Sequence, residues 1–322
     1  MTLNRLLFSV FVSILAFAPV QAQKPSKPEK NFEFFWNTFN EYYPSFEIRK
    51  VNWQEQYKKY RPLVTANTTD DELFRILNEM ISSLKDGNAV ISKTSEVPAT
   101  PKYSEIYKRF PTVDSINQLR RVTFKTLEYY KFGEFTWFNS KKIFLIGGWC
   151  TSHTHGYLQL NGFGWMPLKS FEKEIDEMMA WFTNKEAVII DLRINASGLS
   201  SFADALLERF SIGEYAFKKQ IVLLTSGASN GIAEYFVMKM MNLSNVTIVG
   251  EHTAGFFSNR DIKKMPNGWK FSLPYKIPRF KDGGIYEGIG IPVDIEVANI
   301  KNDLVTGKDP VLEKAIDFLN RK

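Results

Sequence analysis

The sequence predicts an α/β protein built on a buried, mainly parallel sheet, and three observations predict it. Short apolar, β-branched runs recur at AVIIDL (187–192), QIVLLT (220–225) and VTIVG (246–250). Stretches of helical periodicity, FADALLERF and IAEYFVMKMM, stand between them, the pattern of a sheet covered by helices. A chain of 322 residues, 44% hydrophobic and 15% aromatic, has ample apolar surface for such a core, so disorder and coiled coil are poor descriptions.

At the N-terminus, Arg5 precedes an apolar stretch from Leu6 to Ala18 and then the small-x-small pattern Val20-Gln21-Ala22. That order reads as a secretory signal peptide over residues 1–22, so the mature chain is expected to be exported, periplasmic or extracellular. The stretch falls short of the ~20 residues of a membrane helix, and no later segment reads as a membrane span. A Pro/Lys linker from Lys24 to Lys30 leads into an aromatic-rich helix, NFEFFWNTFNEYY, and a second helix, WQEQYKKYRPLV. In the third, Thr69 and Glu72 make a capping box, and Leu73, Ile76, Leu77, Met80, Ile81 and Leu84 share one face up to a stop at Gly87. Residues 23–95 are therefore expected to form a small helical N-terminal domain ahead of an α/β core over residues 96–322.

The stretch from about 95 to 185 carries a weaker pattern, in which IFLIGGW and GYLQLNGFGW read as strands and SFEKEIDEMMAWF as an amphipathic helix. Past the sheet runs, KFSLPYKIP and IYEGIGIPVDIEV read as strands at the rim of a site. Asp309-Pro310 opens a last helix, VLEKAIDFL, with Pro at its first position. Cys150 is the only cysteine, which excludes an intrachain disulfide framework and a Cys-rich zinc site. The 41 Lys+Arg against 35 Asp+Glu give a net charge of +6, or +5 once Arg5 leaves with the signal, and the basic residues are scattered. Such a surface is solvated and not a nucleic-acid footprint.

Eight ordered blocks carry a family likeness: FWNTFNEYY, YRPLVTANTTDDELF, LKDGNAVIS, VIIDLRINASG, TSGASNGIAE, NVTIVGEHTAGFFS, MPNGWKFSLP and YEGIGIPVDIEV, spread over roughly residues 32–319. Together they resemble the C-terminal-processing (tail-specific) serine peptidase family, in the branch without a PDZ insertion that includes the tricorn core and the retinoid-binding-protein repeats. The resemblance implies a crotonase-like α/β core after a small helical domain. It also implies a serine nucleophile on the turn before the IAE helix, a histidine in a D-G-H motif, a glutamate in Y-E-G, and backbone N–H donors as an oxyanion hole. In such a triad the imidazole takes the hydroxyl proton, the carboxylate orients the imidazole, and the N–H groups stabilise the tetrahedral oxyanion.

Carried over residue by residue, the pattern departs at the reacting groups. The family's S-A-A-E reads Gly231-Ile232-Ala233-Glu234, and its D-G-H reads Asp86-Gly87-Asn88. Glycine has no side chain to attack with, and an amide does not titrate near neutral pH. Glu287, in Tyr286-Glu287-Gly288, is the one triad member retained, as a relic or as a structural support of the rim. The Ser–Lys route of the other branch is closed, because Thr253-Ala254-Gly255 is followed by Phe256. The N-x-G-G turn appears as Asn195-Ala196-Ser197-Gly198, so oxyanion or binding contacts are assigned to Ala196, Ser197, Gly198 and Ile232.

Several other side chains invite a sharper reading than they sustain. Ser226 and Ser229 share the turn, and Ser229 is a candidate relocated nucleophile, but two residues upstream on a tight turn its side chain aims elsewhere. His252 replaces the family's Pro and is a candidate base; a strand-end residue is the plainer reading. His153 and His155 form an H-x-H pair with no identifiable third ligand, so no metal is assigned, and no cofactor is implied. Asp191 and Arg193 are expected to fix the end of the central strand through an ion-pair network. The expected function is an impaired pseudo-peptidase that binds a peptide, a protein C-terminal tail or a small apolar ligand in the old groove. The competing readings are an active peptidase using Ser229 and His252, and a purely structural partner subunit.

Overall fold

The computed structural model describes residues 27–94, 96–97, 105–138, 146–195, 198–211, 218–281 and 283–321. The proposed signal segment lies outside them. Phe32, Phe35, Trp36 and Phe39 recur at three- and four-residue spacing, and the chain folds them into the buried face of α1 (Lys27–Tyr42). Asn52 caps α2 (Trp53–Tyr60) by accepting the Glu55 N–H, and the Thr69/Glu72 capping box opens α3 (Asp70–Ser82) as the sequence predicts. The helix stops earlier than expected, however. Its last residue is Ser82, Lys85 takes the left-handed backbone at φ 49°, and Gly87 is not among the positive-φ residues. The Ser83 N–H bonds back to Met80 and Ile81, so the turn closes before the glycine is reached.

The chain continues through β1 (Val90–Ser92), α4 (Glu105–Arg109), α5 (Val113–Tyr129), β2 (Thr136–Trp137), β3 (Gly147–Thr151), β4 (His155–Leu160), α6 (Leu168–Phe182), β5 (Ala187–Asp191) and α7 (Ser200–Ser211). It ends with β6 (Gln220–Thr225), α8 (Ile232–Met240), β7 (Val246–Gly250), β8 (Asn259–Lys264), β9 (Lys270–Lys276), β10 (Ile295–Glu296), α9 (Lys301–Thr306) and α10 (Pro310–Asn320). Among the described residues, seven strands form one sheet in the order β10-β7-β6-β5-β4-β3-β2, parallel from β10 to β4 and antiparallel beyond. A second, antiparallel sheet has the order β1-β9-β8.

Strand alternation divides the core into layers. Val188, Ile190, Ile221 and Leu223 face α6, α7 and α8 with Phe171, Phe202 and Phe236, while Ile189, Val222 and Leu224 face Leu127 of α5 and Val311, Leu312 and Ile316 of α10. Both faces are covered, which is why these strands read as unbroken apolar runs. The second sheet belongs to another cluster: Phe271 of β9 lies with ring centroids 4.9 Å from Phe35 and 5.5 Å from Phe39 of α1. Residues 265–273 thus return to pack on the N-terminal helices.

Most of IYEGIGIPVDIEV is not a strand. Only Ile295–Glu296 pairs with the sheet, and Gly288 and Gly290 sit at φ 74° and 86° in a turn. A Cβ on Gly290 would stand 2.0 Å from the Thr253 carbonyl oxygen, so this glycine allows a close backbone approach that no strand provides. Asp309 caps α10 by accepting the Leu312 N–H at 3.2 Å, with Pro310 at the first position as expected. No described helix is long and apolar enough to cross a membrane.

Candidate functional site

The site is built where β6 ends and α8 begins. Thr225 closes the strand, a turn of small residues follows, and Gly231 caps α8 with φ 59° and ψ −111°. This is the sharp strand-to-helix turn on which hydrolases expose a nucleophile, a backbone strained for any residue with a Cβ. A Cβ built on Gly231 meets nothing within 4 Å, so open space lies where a side chain would project.

The turn is held from behind. Ser229, fully buried, donates its hydroxyl to the Leu192 carbonyl at 2.8 Å and accepts the Ser226 N–H at 3.0 Å. Ser226 Oγ donates to the Arg193 carbonyl at 2.5 Å. Both serines therefore fasten the turn to the end of β5, as turn residues do. His252 is exposed and is not among the residues lining the cleft described below. The Asp191–Arg193 expectation holds: the buried Arg193 guanidinium forms ion pairs with Asp191 at 2.6 Å and Asp309 at 2.7 Å and donates to Asn299 at 2.8 Å.

Glu234, one turn into α8, is fully buried and ties the turn to residues 253–256. It accepts from Thr253 Oγ1 and the Gly255 N–H, both at 2.6 Å, from the Phe256 N–H at 2.9 Å and from the Gly231 N–H at 3.2 Å. Burial pushes its carboxyl up to about 7 despite these donors. Glu287, also fully buried, holds the next residues: it accepts the Phe257 and Ser258 N–H groups at 3.0 Å each and the Ser258 hydroxyl at 3.1 Å, and it pairs with Arg49. Its carboxyl is also raised, by burial first and by the nearby Asp86 charge, against the pull of Arg49.

Asn88 holds the same segment from a third side, donating Nδ2 to the Phe256 carbonyl at 3.1 Å and the Ser258 carbonyl at 3.3 Å. Its own N–H bonds Asp86 Oδ1 at 2.8 Å, and Tyr43 donates to Asp86 Oδ2 at 2.8 Å. The three positions singled out in the sequence therefore do not meet directly. Asn88 and Gly231 line one cleft of about 850 Å³, whereas Glu287 lies behind residues 256–258, its oxygens taken by Arg49 and backbone donors.

Ile232, Gly198 and Trp165 also line that cleft, with Tyr235, Met238, Phe256, Phe257 and Pro278 as apolar wall and Arg260 and Lys276 as cations. No carboxylate lines it among the described residues. A Cβ on Gly198 would lie 2.2 Å from the Phe163 carbonyl oxygen, so glycine is required where this loop bridges the segment that follows β4. Ala196 and Ser197 lie outside the described residues. Trp165 is 53% exposed at φ 69°, a left-handed backbone that holds an indole at the cleft.

Sequence reasoning missed Arg49, the clamp of Glu234, and Trp165. The run Gly162-Phe163-Gly164-Trp165 was the available signal for the last; nothing local marks Arg49, whose partner is 238 residues away. His155 is buried and His153 exposed, so the H-x-H pair does not share one environment. No group of three or more His, Cys, Asp or Glu suited to a metal occurs among the described residues. Cys150 is a buried thiol whose pKa burial pushes up to about 12.

Comparison with known proteins agrees with this architecture. Residues 25–82 match the model of the tricorn protease C1 domain, and residues 208–297 match that of Peptidase family S41, the segment that holds the Gly231 turn and Glu287. Together these matches support an S41-family relationship for the chain. The tricorn protease of Thermoplasma acidophilum is 22% identical over 52% of this chain, a match that spans 17% of that protein's length. A candidate peptidase from Parabacteroides merdae has a similar structure, with a TM-score of 0.75 and 23% identity over 91% of this chain and 97% of its own. Mature CPAF in complex with lactacystin follows with a TM-score of 0.63 and 12% identity over 92% and 99% of the two chains. At these identities the structural likenesses establish a common fold. Within it, this chain carries glycine at the strand-to-helix turn and asparagine after Asp86-Gly87.

Proposed function

We propose that this S41 relative is an exported, catalytically impaired pseudo-peptidase that holds a peptide or an apolar ligand in the cleft beside Gly231. The proposal places it on a crotonase-like core with a helical N-terminal domain. The observation that carries the reading is the empty space at Gly231 facing the cleft that Asn88 also lines. A nucleophile would project there, and none does; a base would stand at Asn88, whose amide instead donates to two backbone carbonyls. Loss of a nucleophile or base alone costs such a triad on the order of 10⁶ in rate.

What remains suits binding. The wall is aromatic and aliphatic with a few polar groups and two cations, the composition of a ligand cleft. A peptide or protein C-terminal tail would set its carboxylate against Arg260 or Lys276. The alternative, an active peptidase using Ser229 and His252, is disfavoured by the geometry: the Ser229 hydroxyl is spent on the Leu192 carbonyl, away from solvent.

The test is a titration of the mature chain with an unstructured peptide, followed by the fluorescence lost in Trp165→Phe and by mass spectrometry of the peptide after prolonged incubation. A saturable change at Trp165 with the peptide intact supports the reading. Cleaved peptide, or no saturable change with any peptide or apolar ligand, refutes it. For export, N-terminal sequencing of secreted material should give a start near Gln23, and an intact Met1 would count against it.

A further inference from the structure

Beside the cleft, β8 is the last strand of its sheet: among the described residues it pairs with β9 alone. Its outer edge therefore presents a row of backbone donors and acceptors without a ladder partner, which is the template an added strand uses. The edge runs directly into the cleft, because Asn259 and Arg260 at its start line that cavity, and Lys276, which registers opposite Asn259, lines it too.

The charges along this edge are not balanced. Lys263 is paired with Asp261 at 2.7 Å. Arg260, Lys264 and Lys276 are exposed and form no ion pair among the described residues; Arg260 donates only to the Val97 carbonyl, at 2.9 Å. Arg260, Ile262 and Lys264 alternate along the strand and so share one face, registered with Pro274, Ser272 and Lys270 of β9. Ile262 is 45% exposed between the two cations. The face thus reads cation, apolar, cation at a spacing of two residues.

We infer that the free edge of β8 captures an extended acidic peptide, which adds to the sheet as a fourth strand and continues into the cleft. The matching segment is acidic-x-apolar-x-acidic, with its carboxylates against Arg260 and Lys264 and its apolar residue against Ile262. A second copy of this chain is a poorer occupant, since pairing β8 with β8 sets the two cationic rows against each other, and like charges facing across strands repel. The inference rests on the proposal that the cleft binds peptide, and it names where the backbone of that peptide is held.

The experiment uses the mature chain and three fluorescein-labelled ten-residue peptides of alternating Thr with Glu/Val, Lys/Val or Val only. Binding is read by anisotropy, and protection by hydrogen exchange. The Glu peptide should bind at least tenfold more tightly than the Lys peptide, lose about tenfold against Arg260→Glu/Lys264→Glu, and slow exchange of the β8 amides that face away from β9. N-methylation of alternate peptide residues should abolish binding in one of the two registers of methylation. Equal binding of the Glu and Lys peptides, bound peptide with no new protection in β8, or outward-facing β8 amides already protected in the free chain would each overturn the inference. The uncharged peptide separates the two claims: if it perturbs Trp165 while β8 stays unprotected, the cleft reading stands and the edge inference falls; if no peptide perturbs Trp165, both fall.

Discussion

On the proposed reading, restoring chemistry at the Gly231 turn requires both a serine at 231 and a histidine at 88, and the structure sets the cost of each. Gly231→Ser places Cβ and Oγ in open space, so no clash opposes it, but at φ 59° and ψ −111° a non-glycine residue is strained. The strain is about 1–3 kcal/mol, or roughly 2–5 °C in melting temperature for a chain of this size. Asn88→His exchanges an amide that donates to two carbonyls, Phe256 and Ser258, for a ring that keeps one N–H for them and leaves its other nitrogen to act as base. Losing one such bond costs about 1 kcal/mol. Gly231→Ser alone should react very slowly with a fluorophosphonate and Asn88→His alone not at all, while the double variant should label about 10²–10⁴-fold faster than Gly231→Ser, the range of a positioned general base. The lower end is expected, because Arg49 and the backbone of residues 257–258 already occupy Glu287 and leave no free carboxylate to orient the ring. Rates are read by fluorophosphonate labelling and by cleavage of an unstructured peptide, beside melting curves of each variant. If Gly231→Ser labels as fast as the double variant, position 88 is not the base position and the reasoning fails. If the double variant folds like the parent yet neither labels nor cleaves, the loss extends to the oxyanion turn at residues 195–198.

Glu234 stays protonated up to about pH 7 in the folded chain, well above its ordinary range, so it stabilises the fold fully at low pH and loses that contribution as pH rises through about 7. The swing is roughly 3 kcal/mol between pH 4.5 and 8; Glu234→Gln should flatten it, and an unchanged slope in denaturant melts would contradict the assignment. Arg49→Met should cost about 3–5 kcal/mol at neutral pH by leaving the buried Glu287 carboxylate unpaired, with a smaller loss on acidification, because the raised Glu287 carboxyl then takes a proton. A loss that does not shrink on acidification would point to packing as its cause. Gly198→Ala should destabilise the chain by roughly 2 kcal/mol or more, since its Cβ meets the Phe163 carbonyl oxygen at 2.2 Å on a positive-φ backbone; a neutral effect in thermal melts would refute the close approach.

What the sequence made legible follows from how local each signal is. The sheet runs and α3 announced themselves, because burial on both faces imposes an unbroken apolar pattern and a capping box is written within four residues. The 17-residue α5 went unread although Thr112 and Ser115 cap it, because its apolar face is interrupted by the buried Thr123 and Thr126, and Thr123 suits a core only once Asp309 and Arg193 are folded against it. The strand expected over IYEGIG failed for the opposite reason: its alternation mimics a strand, while Gly288 and Gly290 are spent on positive φ and a close backbone contact. At the site, Asn88, Gly231 and Glu287 were singled out through motif order. That Glu287 is spent on Arg49 and three donors from residues 257–258 is a long-range fact that no local pattern carries.

The central claim is that no residue of this chain acts as a serine nucleophile. Intact-mass spectrometry of the unmodified mature chain after exposure to excess fluorophosphonate tests it most directly. The account predicts an unchanged mass, with no saturable adduct at any serine. A stoichiometric adduct, on Ser229 or on any other serine, would contradict it.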